Sequence, residues 1–176
     1  PGSLNAKDKR VVVLGGGDTG SDCVGTAIRQ KAASVTQIEI LPKLPAVRTP
    51  DNPWPFYARV MKTSTSQEEG CERLWSLSTV RFTGNEGNVT GVEVEDVEWI
   101  EEGSGYSMKT IEGTRRIIDA DMVLLALGFI NPAQYGMVKD LDISHNGRNK
   151  ALTGQGHKTG FEKVFAAGDA VNGASL

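Results

Sequence analysis

The sequence predicts an α/β protein built on a parallel sheet, and three observations carry that prediction. Residues 11–14 form a continuous run of valine and leucine, the pattern of a strand that is buried on both faces. Residues 21–31 then carry apolar side chains at the i, i+3, i+4 spacing of an amphipathic helix. The next strand is predicted over 35–41 and stops at Pro42, so the order strand, helix, strand is that of a βαβ unit.

Later segments add further strands to this unit. We expect residues 77–82 and 122–127 to be a third and a fourth parallel strand, the latter because it is a continuous apolar run. Between them, apolar and acidic residues alternate over 89–99, and 106–111 and 115–118 continue the pattern, so that 89–118 is predicted as an antiparallel meander with one solvent-facing side. We expect this meander to cover one face of the parallel sheet.

The connecting segments carry weaker signals. Five prolines between 42 and 55 predict a stiff loop without a regular element. Ser66 and Glu69 match a capping box, which predicts a helix that starts near Gln67. Residues 164–167 are predicted as a last short apolar strand.

Composition and charge exclude several classes of function. A net charge of −3 gives no electrostatic reason to expect nucleic acid or an anionic membrane as a partner. The longest apolar stretch, 122–130, has nine residues, whereas a membrane span needs about 20. Cys23 and Cys71 form no Cys-x-x-Cys pair, and His145 and His157 fall in polar loops, so we expect neither a metal site nor a catalytic side chain. Two idle thiols are typical of a cytoplasmic protein.

The glycine-rich segment after the first strand carries the strongest functional signal. Glycine makes up 21 of the 176 residues, and three of them form a G-x-G-x-x-G pattern between the strand and the helix, which is the fingerprint of a Rossmann-like dinucleotide site. The helix start would add free N–H groups and a positive dipole end for a pyrophosphate. We therefore expect the cofactor to contact Gly15, Gly17, Asp18, Thr19 and Gly20. The alternative is a glycine-rich turn without a ligand.

The choice between the two nicotinamide cofactors depends on charges near the end of the second strand. Glu39 lies 19 residues after Gly20 and could accept a hydrogen bond from a ribose 2′-hydroxyl, which favours NADH. The strand prediction, however, places Glu39 two residues inside the strand. The next charges, Lys43 and Arg48, are basic and suit a 2′-phosphate. We therefore expect NADPH, with NADH as the alternative cofactor and solvated loop charges as the alternative role for Lys43 and Arg48.

Four segments of the chain resemble the small (beta) chain of glutamate synthase. They are 15–26 around the glycine-rich turn, 51–55 (Asp-Asn-Pro-Trp-Pro), 63–70 (Thr-Ser-Thr-Ser-Gln-Glu-Glu-Gly) and 123–129. The resemblance extends over 9–176. It implies the NAD(P)-binding domain of an FAD/NAD(P) oxidoreductase, in which a nicotinamide domain is inserted into an FAD domain and hydride passes from NAD(P)H to the flavin.

The same resemblance implies further site residues, cofactors and partners. Gly128 would border the nicotinamide half of the cofactor, and Asp169 would belong to a motif that contacts FAD. FAD and iron–sulfur clusters would be present only in the full-length subunit, whose large-subunit partner makes glutamate from glutamine and 2-oxoglutarate. The other partners would be the FAD and iron–sulfur domains of the same subunit.

The expected organisation is one domain cut from a longer subunit. Residues 1–8 are interpreted as a cloning remnant and linker, 9–160 as the NAD(P)H-binding domain, and 161–176 as the truncated start of the returning FAD segment. Such a fragment should be colourless and inactive alone. Two alternatives stay open: the equivalent domain of a related ferredoxin/NADP flavin oxidoreductase, because 170–172 lack the paired arginines common in the family, and a non-catalytic nucleotide-binding docking module.

Overall fold

The structure is a computed structural model and describes residues 4–103, 105–129 and 132–173. The chain divides into two compact units, Pro1–Leu127 and Gly128–Leu176. The elements of the first unit are, in chain order, β1 (Arg10–Leu14), α1 (Asp18–Arg29), β2 (Ser34–Ile38), α2 (Thr65–Glu68), β3 (Glu72–Leu74), β4 (Leu77–Asn85), β5 (Asn88–Glu102), β6 (Gly105–Thr110), β7 (Arg116–Asp119) and β8 (Met122–Leu125). Those of the second unit are α3 (Met137–Asp140), a 3₁₀ turn (Gln155–His157) and α4 (Asp169–Asn172).

A parallel sheet forms the centre of the first unit and confirms the predicted fold class. Its strands lie in the order β3-β2-β1-β8, and each neighbouring pair is parallel. β1 occupies an inner position because Val11, Val12 and Val13 are β-branched and buried on both faces of the sheet. α1 connects β1 to β2, as the βαβ pattern predicts.

Each face of this sheet is covered by a different layer. On one face, Val13 shares a core cluster with Val24 of α1. On the other face, Val12 shares a cluster with Val94 of β5, the strand that pairs antiparallel with β4, β6 and β7. The antiparallel meander predicted over 89–118 is therefore confirmed, and it covers one face of the parallel sheet.

The third parallel strand is not the one predicted. Residues 77–82 belong to β4, which pairs antiparallel with β5, and the strand beside β2 is instead Glu72–Leu74. Two of the three residues in β3 are charged, so this edge strand lacks the apolar run used for the prediction. β8 also ends at Leu125, two residues before the predicted end of that strand.

The predicted helix near Gln67 exists but begins earlier. Ser64 is its N-cap, and the capping box joins Ser64 to Gln67 rather than Ser66 to Glu69. The sequence contains both overlapping matches, and the contacts of Gln67 described below favour the first. The prolines of 42–55 lie in irregular backbone, as predicted.

The second unit is mostly irregular. Residues 164–167, predicted as a strand, contribute only an isolated bridge between Phe165 and Lys158. No described helix is long and apolar enough to cross a membrane. The predicted domain ranges, 9–160 and 161–176, stay a prediction, because compact units need not coincide with functional domains.

Candidate functional site

The loop between β1 and α1 is packed so closely that Gly15 in the loop and Gly20 in the first turn of α1 admit no side chain. Gly15 adopts a φ of +121°, and a Cβ added there would overlap the carbonyl oxygen of Ala126. A Cβ added at Gly20 would overlap the carbonyl oxygen of Gly15, so α1 can approach the loop only with glycine at this position. Gly17, in contrast, faces open space. These are the three roles that a dinucleotide fingerprint assigns to its glycines.

Backbone donors at this loop are free to bind a ligand. Gly17 is the N-cap of α1, and no side chain caps the helix start. Within the described part of the chain, the N–H groups of Gly16 and Gly17 have no hydrogen-bond acceptor. Asp18 and Thr19 are exposed in the first turn beside them. A helix start with unsatisfied N–H groups and a positive dipole end suits the charge of a pyrophosphate.

A buried pair of glutamines holds the loop from its inner side. Gln37 of β2 is 2% exposed, and its Nε2 donates to the Gly15 carbonyl oxygen at 2.9 Å. Gln67 of α2 donates from its own Nε2 to Gln37 Oε1 at 2.8 Å. Sequence analysis missed this pair, because the partners lie 30 residues apart and a glutamine inside a strand carries no signal of its own.

Glu39 occupies a different position from the one predicted. β2 ends at Ile38, so Glu39 directly follows the strand instead of lying two residues inside it. Its carboxylate lies against Gly16, where an added Cβ would overlap it. Among the described residues this carboxylate has no ion-pair or hydrogen-bond partner. Glu39 thus stands at the carboxyl end of the sheet, where α/β folds bind ligands.

A cavity of about 240 Å³ opens beside Glu39 and carries several cations. The charged side chains that line it are Glu39, Arg59, Lys62 and Arg73. Trp75 lies in the same wall, and its ring centroid is 5.0 Å from the Arg73 guanidinium. Arg59 Nη2 is paired with Asp51 at 3.3 Å, whereas Lys62 and Arg73 have no ion-pair partner among the described residues, and these two cations make the cavity attractive to an anion.

The two cations predicted from the sequence do not line this cavity, and only Lys43 contacts a residue of its wall. Lys43 Nζ is 4.7 Å from the centroid of the Trp75 ring, so it shares that ring with Arg73. Arg48 Nη1 donates to the carbonyl oxygens of Asn52 at 3.1 Å and Phe56 at 2.9 Å, and thereby holds the proline-rich loop. The roles predicted for Lys43 and Arg48 at a 2′-phosphate stay predictions.

The remaining predicted site residues belong to the second unit. Gly128 has a φ of +77°, and Asp169 is the exposed first residue of α4. Their predicted contacts with the cofactors stay predictions. His145 and His157 are exposed, as expected, and the described residues contain no His, Cys, Asp and Glu cluster that could hold a metal ion.

The two cysteines are half-buried and free. Burial raises the pKa of the Cys23 thiol, and the neighbouring Asp22 carboxylate raises it further. Burial also raises the pKa of the Cys71 thiol, and Arg73 opposes this effect. A raised thiol pKa disfavours the reactive thiolate, which agrees with idle thiols.

Comparison with known proteins shows the family of the chain. The family model for pyridine nucleotide-disulphide oxidoreductase matches residues 2–176. Over 173 residues the chain is 40% identical to the glutamate synthase [NADPH] small chain of Mycobacterium tuberculosis (strain ATCC 25618 / H37Rv), which covers 98% of this chain and 35% of that protein. It is 37% identical to the glutamate synthase [NADPH] small chain of Bacillus subtilis (strain 168), and this match covers 98% of this chain and 36% of that protein. It is also 37% identical to the glutamate synthase [NADH] of Schizosaccharomyces pombe, where the match covers 98% of this chain and 9% of that protein.

Solved structures show the same fold. Thioredoxin reductase of T. acidophilum superimposes with a TM-score of 0.63 at 21% identity, over 96% of this chain and 46% of that one. The flavoprotein disulfide reductase RclA of Escherichia coli gives 0.58 at 18% identity, over 97% and 33%. The chain spans about a third of the length of the small chains that it matches. It belongs to the pyridine nucleotide-disulphide oxidoreductase family.

Proposed function

We propose that this chain is the nicotinamide-nucleotide-binding part of a glutamate synthase small chain, and that it positions NADPH for hydride transfer to FAD. The observation that carries the proposal is the loop between β1 and α1 together with the first turn of α1, with two glycines that admit no side chain and with free N–H groups. Identities of 37–40% to small chains of that enzyme, over almost all of this chain, support the choice of subunit.

The residues of the chain bind and orient, and the cofactors supply the chemistry, which is hydride transfer. Gly15, Gly17 and Gly20 shape the loop for the pyrophosphate. Asp18 and Thr19 flank it in the exposed first turn of α1. By resemblance, Gly128 borders the nicotinamide half and Asp169 contacts FAD. No acid–base side chain is required for a hydride step.

The cavity beside Glu39 carries features of both kinds of site: its cations suit the 2′-phosphate of NADPH, whereas the free Glu39 carboxylate, which directly follows β2, suits the 2′-hydroxyl of NADH. The excess of cations over carboxylates in its wall favours NADPH. A 2′-phosphate carries negative charge into a space that is lined by Arg59, Lys62 and Arg73, and arginine can bind a phosphate through two parallel hydrogen bonds. Lys43 adds a further cation at the shared face of Trp75. Arg48 supports the site by holding the proline-rich loop and adds positive charge to it. The relatives' names include both NADPH and NADH, so the argument for NADPH depends on these charges.

The remaining parts of the reaction lie in other polypeptide segments. The proposed partners are the FAD and iron–sulfur domains of the same subunit and the large subunit that produces glutamate. We propose the cytoplasm as the site of action. In this arrangement the 176-residue chain alone binds nucleotide but is colourless and does not turn over.

Titration of the chain with NADPH and NADH, followed by tryptophan fluorescence, tests the proposal, since Trp75 lies in the cavity wall. We expect saturable binding of both nucleotides, tighter for NADPH. Arg73→Gln should lower the affinity for NADPH about tenfold, because one charged hydrogen-bonding group is lost, and should leave the affinity for NADH nearly unchanged. The matched control is Arg81→Gln, which removes an exposed arginine of β4.

The outcomes separate the parts of the proposal. If neither NADPH nor NADH bound saturably, the proposal as a whole would be overturned. Equal affinities in the unchanged chain would overturn only the preference for NADPH. A yellow purified protein would contradict the assignment of FAD to segments outside this chain.

A further inference from the structure

A short segment far from the glycine-rich loop in sequence is fastened along α1. We call residues 63–69, which contain α2, the docking segment. It meets α1 at three positions spaced four residues apart, and therefore on one face of the helix. The contacting pairs are Ser21 with Ser64 through their hydroxyls, Gly25 with Ser66, and Arg29 with Glu69 as an ion pair.

The fit at the middle pair is close. A Cβ added at Gly25 would lie 2.6 Å from Ser66 Oγ, so glycine is needed in α1 for the docking segment to approach. The capping box makes the segment rigid, since Gln67 N donates to Ser64 Oγ at 3.2 Å and Ser64 N donates to Gln67 Oε1 at 2.9 Å. The segment is thus a stiff element with a defined position on α1.

From this position the docking segment reaches the loop through two buried side chains. Gln67 is 7% exposed, and its Nε2 donates a hydrogen bond to Gln37 Oε1. This bond orients the Gln37 amide so that its Nε2 donates to the Gly15 carbonyl oxygen. In a planar trans peptide the next N–H points opposite to the carbonyl. Fixing the Gly15 carbonyl therefore also fixes the Gly16 N–H, and directs it away from Gln37 toward the side of the loop where it meets no acceptor.

A loop of three consecutive glycines has great conformational freedom, and a ligand that orders it must offset the lost entropy. We propose that the docking segment and Gln37 preset this loop for the pyrophosphate, so that Gln37 and Gln67 are positioning residues for nucleotide binding. The inference rests on the proposed function. Two apolar side chains of similar volume could fill the same space, but they would leave the Gly15–Gly16 peptide free to turn.

The double variant Gln37→Met/Gln67→Met tests this inference on the 176-residue chain. It keeps the length of both side chains and removes the two hydrogen bonds along the path to Gly15, together with the capping-box bond from Ser64 N to Gln67 Oε1. We expect the affinity for NADP⁺ to fall about tenfold, the scale of one or two lost hydrogen bonds. The affinity for adenosine 2′-monophosphate, which has no pyrophosphate, should stay within about twofold.

The ratio of these two affinities distinguishes positioning from a merely structural role, because general loosening of the fold would weaken both ligands together. Gln30→Met is the matched control. Gln30 Oε1 accepts a hydrogen bond from Ala6 N at 2.8 Å at the far end of α1, so the same chemical change is made away from the loop. It should leave the ratio unchanged.

Each result decides the inference. Unchanged affinity of the double variant for NADP⁺, or an equal loss for both ligands, would overturn it while the proposed function stands. Absence of binding to the unsubstituted chain is the failure of the proposed function instead. If the double variant does not fold, Ser21→Ala replaces it. This variant removes only the hydroxyl contact with Ser64 and should weaken NADP⁺ two- to threefold, with the monophosphate unaffected, and an unchanged NADP⁺ affinity would overturn the inference.

Discussion

The two ends of the parallel sheet differ in whether their polar groups have partners within the protein. At the amino end, Arg10 of β1 donates to Asp121 through Nε at 3.0 Å and Nη2 at 2.8 Å, and to Asp119 at 2.8 Å. At the carboxyl end, Gly16 and Gly17 keep N–H groups without acceptors among the described residues, and Glu39 keeps a carboxylate without a cation.

This difference separates groups that support folding from groups that await a ligand. Charged groups that satisfy one another lower the energy of the folded chain and have little left to offer a ligand. Gly17 is exposed and Gly16 and Glu39 are part-exposed, so water can satisfy their polar groups and a ligand can replace that water. The carboxyl end of a parallel sheet is also where α/β folds bind ligands. The comparison therefore favours the glycine-rich end as the proposed binding site.

The largest effect is expected from Gly20→Ala at the carboxyl end. The added Cβ would overlap the carbonyl oxygen of Gly15, so α1 and the loop must move apart. Overpacking of this kind costs roughly 1–3 kcal/mol. We expect a lower melting temperature and a 10- to 100-fold weaker affinity for NADPH. Gly147→Ala is the control, because a Cβ there meets no atom within 4 Å. Normal NADPH affinity of Gly20→Ala would show that the tight loop is not needed for binding.

The part of the fold that local pattern dictates could be predicted from the sequence. The β1 strand, the glycine-rich turn and α1 follow from an apolar run, three glycines and a helical period within about 20 residues. β3 could not be found in this way, because Glu72 and Arg73 belong to an edge strand that is stabilised by pairing with β2. Its position depends on the sheet and not on its own composition.

The candidate site divides in the same manner. Gly15, Gly17 and Gly20 can be predicted from the sequence because their spacing reflects a local turn. Gln37 and Gln67 do not, since their importance arises from a hydrogen bond across 30 residues of chain. The same buried contact decides which of two overlapping capping boxes forms, and so accounts for the misplaced helix start.

A substitution in the antiparallel sheet should separate stability from binding. Val94 of β5 is 0% exposed and lies in the apolar cluster that joins the meander to β1. Val94→Ala should lower the free energy of unfolding by about 2 kcal/mol, the value of burying such a side chain. NADPH affinity, measured where the variant is fully folded, should not change. Val47→Ala, at an exposed position, is the control for the denaturation experiments. A loss of NADPH affinity in Val94→Ala would link the meander to the site.

The smallest effect is expected at the amino end, from Asp121→Asn. Hydrogen bonds from the Arg10 side chain and backbone, with its charge, hold the pKa of the Asp121 carboxyl well below its usual range. Because the pKa is lower in the folded than in the unfolded chain, this carboxylate stabilises the fold above the unfolded value of about 3.9, and the stabilisation is lost as the pH falls below it. Asp121→Asn should therefore lower the melting temperature modestly at pH 7. The difference in melting temperature between the variant and the unchanged chain should narrow below about pH 4.

The affinity of Asp121→Asn for NADPH should equal that of the unchanged chain, because its partners lie at the opposite end of the sheet from the loop. Asp140→Asn in the second unit controls for the loss of one negative charge, since the described residues give Asp140 no ion-pair partner. Melting curves from pH 3 to 8 give the comparison. A difference that grew on acidification would mean that the Arg10 pair does not stabilise the folded state. A fall in NADPH affinity would mean that the two ends of the sheet are coupled, and the division between a folding end and a binding end would then fail.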